Sequence, residues 1–418
     1  MYVAKLDSCL DFVDFCNDYL ILPGENFLMA VIKPFKALKP TKEAAIKVAS
    51  VPYDVVNTEE AKQTAEGNPL SFLRVTRSEI ELDSNVDPYS PEVYRKAKEN
   101  LQRLISQAPL EIDKSEHFYL YRLEMNGRAQ TGIAATFSID DYDNNVILKH
   151  EKTRKVKEDD RTNHIVTTGA QTGPVFLTYK PVKAVDQIVD ETMKNNRELY
   201  DFTSADGIKH TIWTLPDDFN QSIIDEISKV KNLYIADGHH RAASASRARK
   251  AKQEANPKHT GKEEYNYFLA VLFPADQLKI LPYNRIVLDL DGKPKDEFRD
   301  EVNERFQIEK AKIQQPDKQK TFGMYLDGSW YILKPRDSIL ASNSLSKSVA
   351  DTLDVSILQD FLLNPVLGID DPRTNKRIDF VGGIRGTKEL ERLVNSGKAA
   401  VASTLLLISF SYFNYCLS

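Results

Sequence analysis

The chain has 418 residues, 41% hydrophobic and 28% charged, with 61 acidic residues against 56 lysines and arginines and a net charge of −5. These proportions suit an ordinary globular protein of two or three units and argue against attachment to nucleic acid through overall charge, so any anionic ligand has to be met locally. The three cysteines, Cys9, Cys16 and Cys416, lie near the ends, so neither a disulfide framework nor a cysteine-based metal site can hold the middle of the chain.

At the start, Asp7, Asp11, Asp14 and Asp18 interrupt the apolar residues, which excludes the clean hydrophobic run of a secretory signal and implies a cytoplasmic protein. Met29-Ala30-Val31-Ile32-Lys33-Pro34-Phe35 reads as an initiator leading straight into a strand. Residues 1–28 are therefore expected to be a translated leader, the alternative being an amphipathic helix.

A first unit is expected over residues 29–180. Short β-like runs at 30–35 and 48–56 are broken by Pro40, Pro52 and Pro69. Asp54 stands alone among Val51, Pro52, Tyr53, Val55 and Val56, so it needs either a structural ion-pair partner or a functional role. Pro91 opens a helix with Ser90 as its expected N-cap, and Val93, Ala97, Leu101, Leu104 and Ile105 recur at helical spacing. Strands at 118–123 and 132–139 should pair around Asn126-Gly127, a favourable hairpin turn.

A strand at 145–148 then feeds thirteen residues, Lys149 to Arg161, that hold six lysines and arginines and four carboxylates. Two readings stay open. The pairs Glu151 with Lys155 and Arg154 with Glu158 have the spacing of a solvated helix; alternatively His150, Glu151 and Arg154 stand at a strand end facing a site.

The second unit, 181–293, alternates helix and strand: a helix at 184–199, a strand at 210–215, a helix at 220–230 and an apolar strand at 232–236. A helix rich in alanine follows at once, with Ala242, Ala243, Ala245 and Ala248 as strong formers, and buried strands are expected at 267–273 and 278–281. This alternation predicts an α/β, or mixed α+β, layered architecture. Residues 250–264 and 312–320 read as surface loops.

The third unit, 294–402, should contain a strand pair at 320–334 around Asp327-Gly328, a helix at 355–363 and a buried strand at 399–402. Between the last two, Gly382-Gly383-Ile384-Arg385-Gly386-Thr387 leads into a helix at 388–394. Its small residues and Arg385 suit either a phosphate-cradling loop or a plain β-to-α turn, and it lacks the Gly-Lys-Ser/Thr ending of a Walker A loop. Residues 403–418 read as an aberrant tail. Polar residues interrupt the uncharged stretch at 399–416 and no basic cluster anchors it, so no membrane span is expected.

The densest concentration of chemistry is Asp237-Gly238-His239-His240-Arg241, directly after the apolar strand. A strand ending in Asp-Gly and opening into a helix presents amide N–H groups and the positive helix end to an anion. Gly238 permits close approach, Arg241 can grip phosphate oxygens, His239 and His240 can donate hydrogen bonds or protons, and Asp237 can hold Mg²⁺ or orient a histidine. The plainer reading is a capping aspartate, surface histidines and an arginine ion pair. There is no Gly-x-Ser-x-Gly, no central cysteine and no His-Glu-x-x-His, which removes serine, cysteine and the common zinc hydrolases.

Taken together, residues 32–38, 51–57, 67–69, 149–154, 236–241, 281–285 and 377–383 resemble the domain of unknown function 1015 family, which carries ParB-like or Spo0J-like labels. The resemblance spans residues 29–402 and implies a ParB/sulfiredoxin-like α/β core with added mixed-sheet and helical units. Residues 237–241 look like the phosphate motif of that superfamily, which includes free-serine kinases that use ADP or ATP. By the resemblance, Glu151 is the general base, Asp237, His239 and His240 serve the chemistry, and Gly238, Arg241, Arg154 and His150 hold phosphate or nucleotide with Mg²⁺.

The function so implied is nucleotide-dependent phosphoryl transfer to free L-serine, or its reverse from O-phosphoserine, with a small molecule and no nucleic acid as partner; the sequence sets no oligomeric state. A ParB-like nucleotide-gated protein associated with DNA is the alternative from another class. It lacks an evident basic surface in this acidic chain. A sulfiredoxin-like repair enzyme would need a cysteine where His239 and His240 stand.

Overall fold

The computed structural model describes residues 29–107, 110–149, 153–278, 283–311, 315–344, 354–372 and 374–406. Residues 1–28, expected to be a leader, together with His150, Glu151, residues 279–281 of the strand expected at 278–281 and residues 407–418, lie outside them. Two compact units are present, divided after Leu278.

In chain order the strands are β1 Ile32–Lys33, β2 Leu38–Pro40, β3 Leu110–Ile112, β4 Tyr119–Met125, β5 Arg128–Ser138, β6 Ile147–Leu148, β7 Val175–Tyr179, β8 Tyr200–Thr203, β9 Lys209–Thr214, β10 Leu233–Asp237 and β11 Tyr267–Pro274 in the first unit. The second unit holds β12 Tyr283–Val287, β13 Phe306–Lys310, β14 Phe322–Leu326, β15 Ser329–Pro335, β16 Ile378–Gly382 and β17 Val401–Leu405.

The first unit is built on a nine-stranded mixed sheet ordered β6-β10-β7-β11-β5-β4-β9-β8, with β1 paired to β5. Parallel pairs β6–β10 and β7–β11 alternate with antiparallel ones, so the fold is mixed α/β as the helix–strand alternation predicts. Asn126 and Gly127 both take positive φ, 53° and 74°, the geometry of a two-residue turn that matches strand twist, and they set Met125 opposite Arg128.

Where β5 meets β11, Gly132 has no room for a side chain: a Cβ there would sit 2.8 Å from Val271 Cγ1 and 2.9 Å from the Leu272 carbonyl oxygen. The core between sheet and helices contains Phe118, Phe137, Leu177, Ile235 and Phe268, with Val185, Ile223, Ala242 and Ala245 from helices Lys183–Asn195, Asn220–Ser228 and His239–Glu254. Fully burying one large apolar side chain contributes about 1.5–3 kcal/mol, so this cluster is the main source of the unit's stability.

The structure revises several expectations from sequence. Strands from 29–180 and from 181–293 interleave in one sheet, because β10 and β11 insert on either side of β7. Residues 48–56 form no strand: a short helix, Ala45–Val48, is followed by turns, and Pro52 accepts a turn hydrogen bond from Val55 at 3.3 Å. The helix after β10 runs to Glu254, into the expected loop, since its alanines and lysines are good helix formers. The Ser90 hydroxyl has no partner among the described residues and does not cap helix Pro91–Gln107.

The second unit is an antiparallel six-stranded sheet, β13-β15-β14-β17-β12-β16. Asp327 and Gly328 make its predicted hairpin turn with φ of 49° and 71°. β17 lies between β14 and β12, so Ser403, Thr404 and Leu405, read as the start of the tail, belong to an inner strand. Among the described residues no helix is long and apolar enough to cross a membrane.

Candidate functional site

Leu233, Ile235 and Ala236 are buried and hold β10 next to the edge strand β6 of the first sheet. The chain passes from β10 to helix His239–Glu254 through one residue, Gly238, at φ 93°. That left-handed conformation costs a residue with a side chain roughly 1–2 kcal/mol. Space forbids one as well: a Cβ on Gly238 would lie 2.8 Å from Arg241 Nε and 2.9 Å from its Cζ.

The guanidinium of Arg241 therefore lies back over the turn. Its Nη2 donates to Asp237 Oδ2 and its Nη1 to the carbonyl oxygen of Pro174, which leads into β7. Both members of the ion pair are buried. This arrangement bears on Mg²⁺ at Asp237, because a dication there would face an arginine that already holds the carboxylate. Among the described residues no group of three or more His, Cys, Asp and Glu side chains is placed to hold a metal.

The two histidines are held differently. His239 is 2% exposed, and burial above all, helped by His240 and Arg241, pushes its proton affinity down to about 3, so it is neutral at physiological pH. His240 accepts a hydrogen bond at its Nε2, 3.0 Å from the backbone nitrogen of Arg154. Arg154 is the residue preceding helix Lys155–Thr168, and it reaches the motif through its main chain while its side chain is exposed. β6 runs parallel to β10 with Leu148 opposite Tyr234, which brings Lys149 to the same sheet end as Asp237. His150 and Glu151 fall outside the described residues.

Two further candidates stand elsewhere. Asp54 sits exposed in the turn after Tyr53, so the cost of burying a charge does not arise there. Arg385 belongs to the second unit, where it lies 3.8 Å from Glu389 one helical turn on.

Beside Arg241 the first unit opens a small, partly open cleft, lined by Tyr53, Arg161, His164, Thr172, Gly173 and Arg241. Arg161 and His164 come from one face of helix Lys155–Thr168, three residues apart. The Arg161 guanidinium stacks on the Tyr53 ring at 4.2 Å, and its Nε and Nη2 hold Asp160 Oδ2 at 2.9 and 2.8 Å. Asp160 also accepts from the Tyr94 hydroxyl at 3.1 Å. Burial, then Asp54, raises the Tyr53 phenol to about 12, so it stays protonated.

None of Tyr53, Arg161 and His164 was singled out by the sequence reading. The i,i+3 spacing of Arg161 and His164 was a usable signal, masked by the charges around it; the return of Tyr53 from a hundred residues away was not. Helix Lys155–Thr168 takes up the later part of the charged stretch, with Glu158 and Asp159 bound to Arg247 of helix His239–Glu254 rather than within their own.

Residues 32–356 match the family described as "Protein of unknown function (DUF1015)". No curated protein and no solved structure matches the chain.

Proposed function

Since the chain belongs to the DUF1015 family of proteins of unknown function, we propose a function from the site itself: nucleotide-dependent phosphoryl transfer on a small metabolite. The finer form of the proposal is a free L-serine kinase, or the reverse reaction that removes phosphate from O-phosphoserine, using ADP or ATP. The observation that carries it is the single-residue left-handed turn at Gly238, which heads a sixteen-residue helix beside a cleft bearing two arginines.

A helix start of this kind favours a phosphate by about 0.3–1 kcal/mol through its dipole, before any hydrogen bond is counted. Phosphoryl transfer asks the protein chiefly for positioning and charge stabilisation, which rigid backbone and arginines supply. The likeness of residues 237–241 to the phosphate motif of the ParB/sulfiredoxin-like superfamily supports the same reading.

Within it the roles shift from those the motif first suggested. Arg241 and Asp237 fix the turn, the head of the helix receives phosphate, and the neutral His239 stiffens the first helical turn. Glu151 is kept as the base for the acceptor hydroxyl, on the resemblance alone. Mg²⁺ would come with the nucleotide, and no step is assigned to it here.

Thermal unfolding of the full chain with ADP, ATP, CTP, L-serine, O-phosphoserine and duplex DNA tests the proposal. Adenine nucleotide together with phosphoserine should raise the midpoint more than either alone, by linkage to the folded state. A response confined to CTP and DNA would replace it with the ParB-like reading, and no response to any nucleotide would end it.

A further inference from the structure

The cleft beside Arg241 contains a buried base with an identifiable lone pair. His164 is 3% exposed, and its Nε2 lies 3.0 Å from the carbonyl oxygen of Val75. A carbonyl cannot donate, so Nε2 carries the hydrogen and Nδ1 is left with the acceptor lone pair of a neutral imidazole. Among the described residues Nδ1 has no hydrogen-bond partner, and the ring lines the cleft. Burial first, then the neighbouring Arg161 charge, depresses its proton affinity to about 4, which keeps it an acceptor at neutral pH.

On the same helix face, three residues before His164, Arg161 uses Nε and Nη2 on Asp160, and its Nη1 has no partner among the described residues. The Thr172 hydroxyl likewise has none and stands on the cleft wall. The cleft thus offers a cation with spare N–H donors and, in contrast to an ordinary anion site, one obligate acceptor. A fully deprotonated oxyanion satisfies the first and faces lone-pair repulsion from the second. An acceptor left facing a lone pair is unfavourable, and a ligand O–H removes that cost.

We propose that this cleft selects a compact oxyanion carrying its own O–H donor, with Arg161 Nη1 taking a charged oxygen and His164 Nδ1 accepting from the hydroxyl. Two sources share that chemistry, a monoprotonated phosphoryl group and a small hydroxycarboxylate. The inference rests on the phosphoryl-transfer reading for its place in a reaction, though not for binding itself.

Titration of the full chain at pH 7 with inorganic phosphate against sulfate, and with lactate against propionate, tests the selection and separates the sources. Each pair matches an O–H bearing anion with one that lacks it. Preference for phosphate alone assigns a phosphoryl group, preference for lactate alone assigns a hydroxy acid, and either should reach at least tenfold and shift the His164 imidazole ¹⁵N resonances. Equal binding within both pairs, or no binding of any of the four, overturns the proposal.

His164→Gln can still donate to the Val75 carbonyl and present an oxygen acceptor, so it should keep the preference, whereas His164→Met should abolish it. If His164→Met fails to fold, the anion pairs on the unaltered chain still decide. ADP binding is measured alongside: its loss in the unaltered chain would count against the phosphoryl-transfer reading, while ADP binding without anion discrimination would count only against this one.

Discussion

Arg241 gives up nearly all its solvent contact, and in return its guanidinium meets one carboxylate and one carbonyl. A buried ion pair adds little net stability, but removing one partner strands the other charge at a cost of about 3–5 kcal/mol. Arg241→Ala should therefore lower the unfolding free energy by about that amount in urea. The double change Asp237→Leu with Arg241→Met, which removes both charges, should cost less than Arg241→Ala alone. A loss below about 1 kcal/mol for Arg241→Ala would mean the pair contributes no more than a surface bridge. The pairing was half legible: Asp237 and Arg241 stand at i,i+4 across a helix start, a spacing visible in sequence, while Pro174, the second acceptor, is 67 positions away and gives no local sign.

Elements read from sequence succeeded where a local rule had one outcome. Asn126-Gly127 and Asp327-Gly328 made hairpins because few other dipeptides accept positive φ at both positions. β7 escaped notice, since all five of its residues are buried and show no alternation, and such a run cannot be told from buried helix by periodicity. Residues 48–56 had strand-like composition, but Pro52 in the middle of the run lacks a ladder donor, and the chain turned instead. β17 shows the reverse error: the strand was ended at Ala402, although Ser403 and Thr404 are both buried in the same inner strand. There Ala402 faces Ile286 on one side and Tyr325 on the other. Ala402→Pro removes a ladder donor between two neighbours and sets a ring against one of them, so a stability loss of at least about 1–3 kcal/mol is expected. Limited proteolysis should then cut within 283–406 first; an unchanged cleavage pattern would mean that β17 does not hold this sheet together.

At the scale of the whole chain, the alternation of helix and strand predicted the mixed α/β architecture, but alternation reports layer type and says nothing about which strands are neighbours. Neighbourhood is decided by long-range pairing, such as β11 lying antiparallel to β5 and parallel to β7, which no short window of sequence contains. The chain divides after Leu278, where no boundary was expected, and that division has a physical consequence. The first unit has its own core and a sheet whose strands pair only with one another, and Tyr53, Arg161, His164, Asp237 and Arg241 all belong to it. A fragment of residues 29–278 should therefore fold cooperatively, with circular dichroism showing both helix and strand, and should keep the midpoint rise with nucleotide shown by the full chain. Residues 283–406, which carry Arg385 in a short helix just after β16 of the separate sheet, should show no such rise when tested as their own fragment. If the first fragment folds yet loses the nucleotide response, the second unit supplies part of the site, and the phosphate-cradling reading of Gly382 to Thr387 regains force over that of a plain turn.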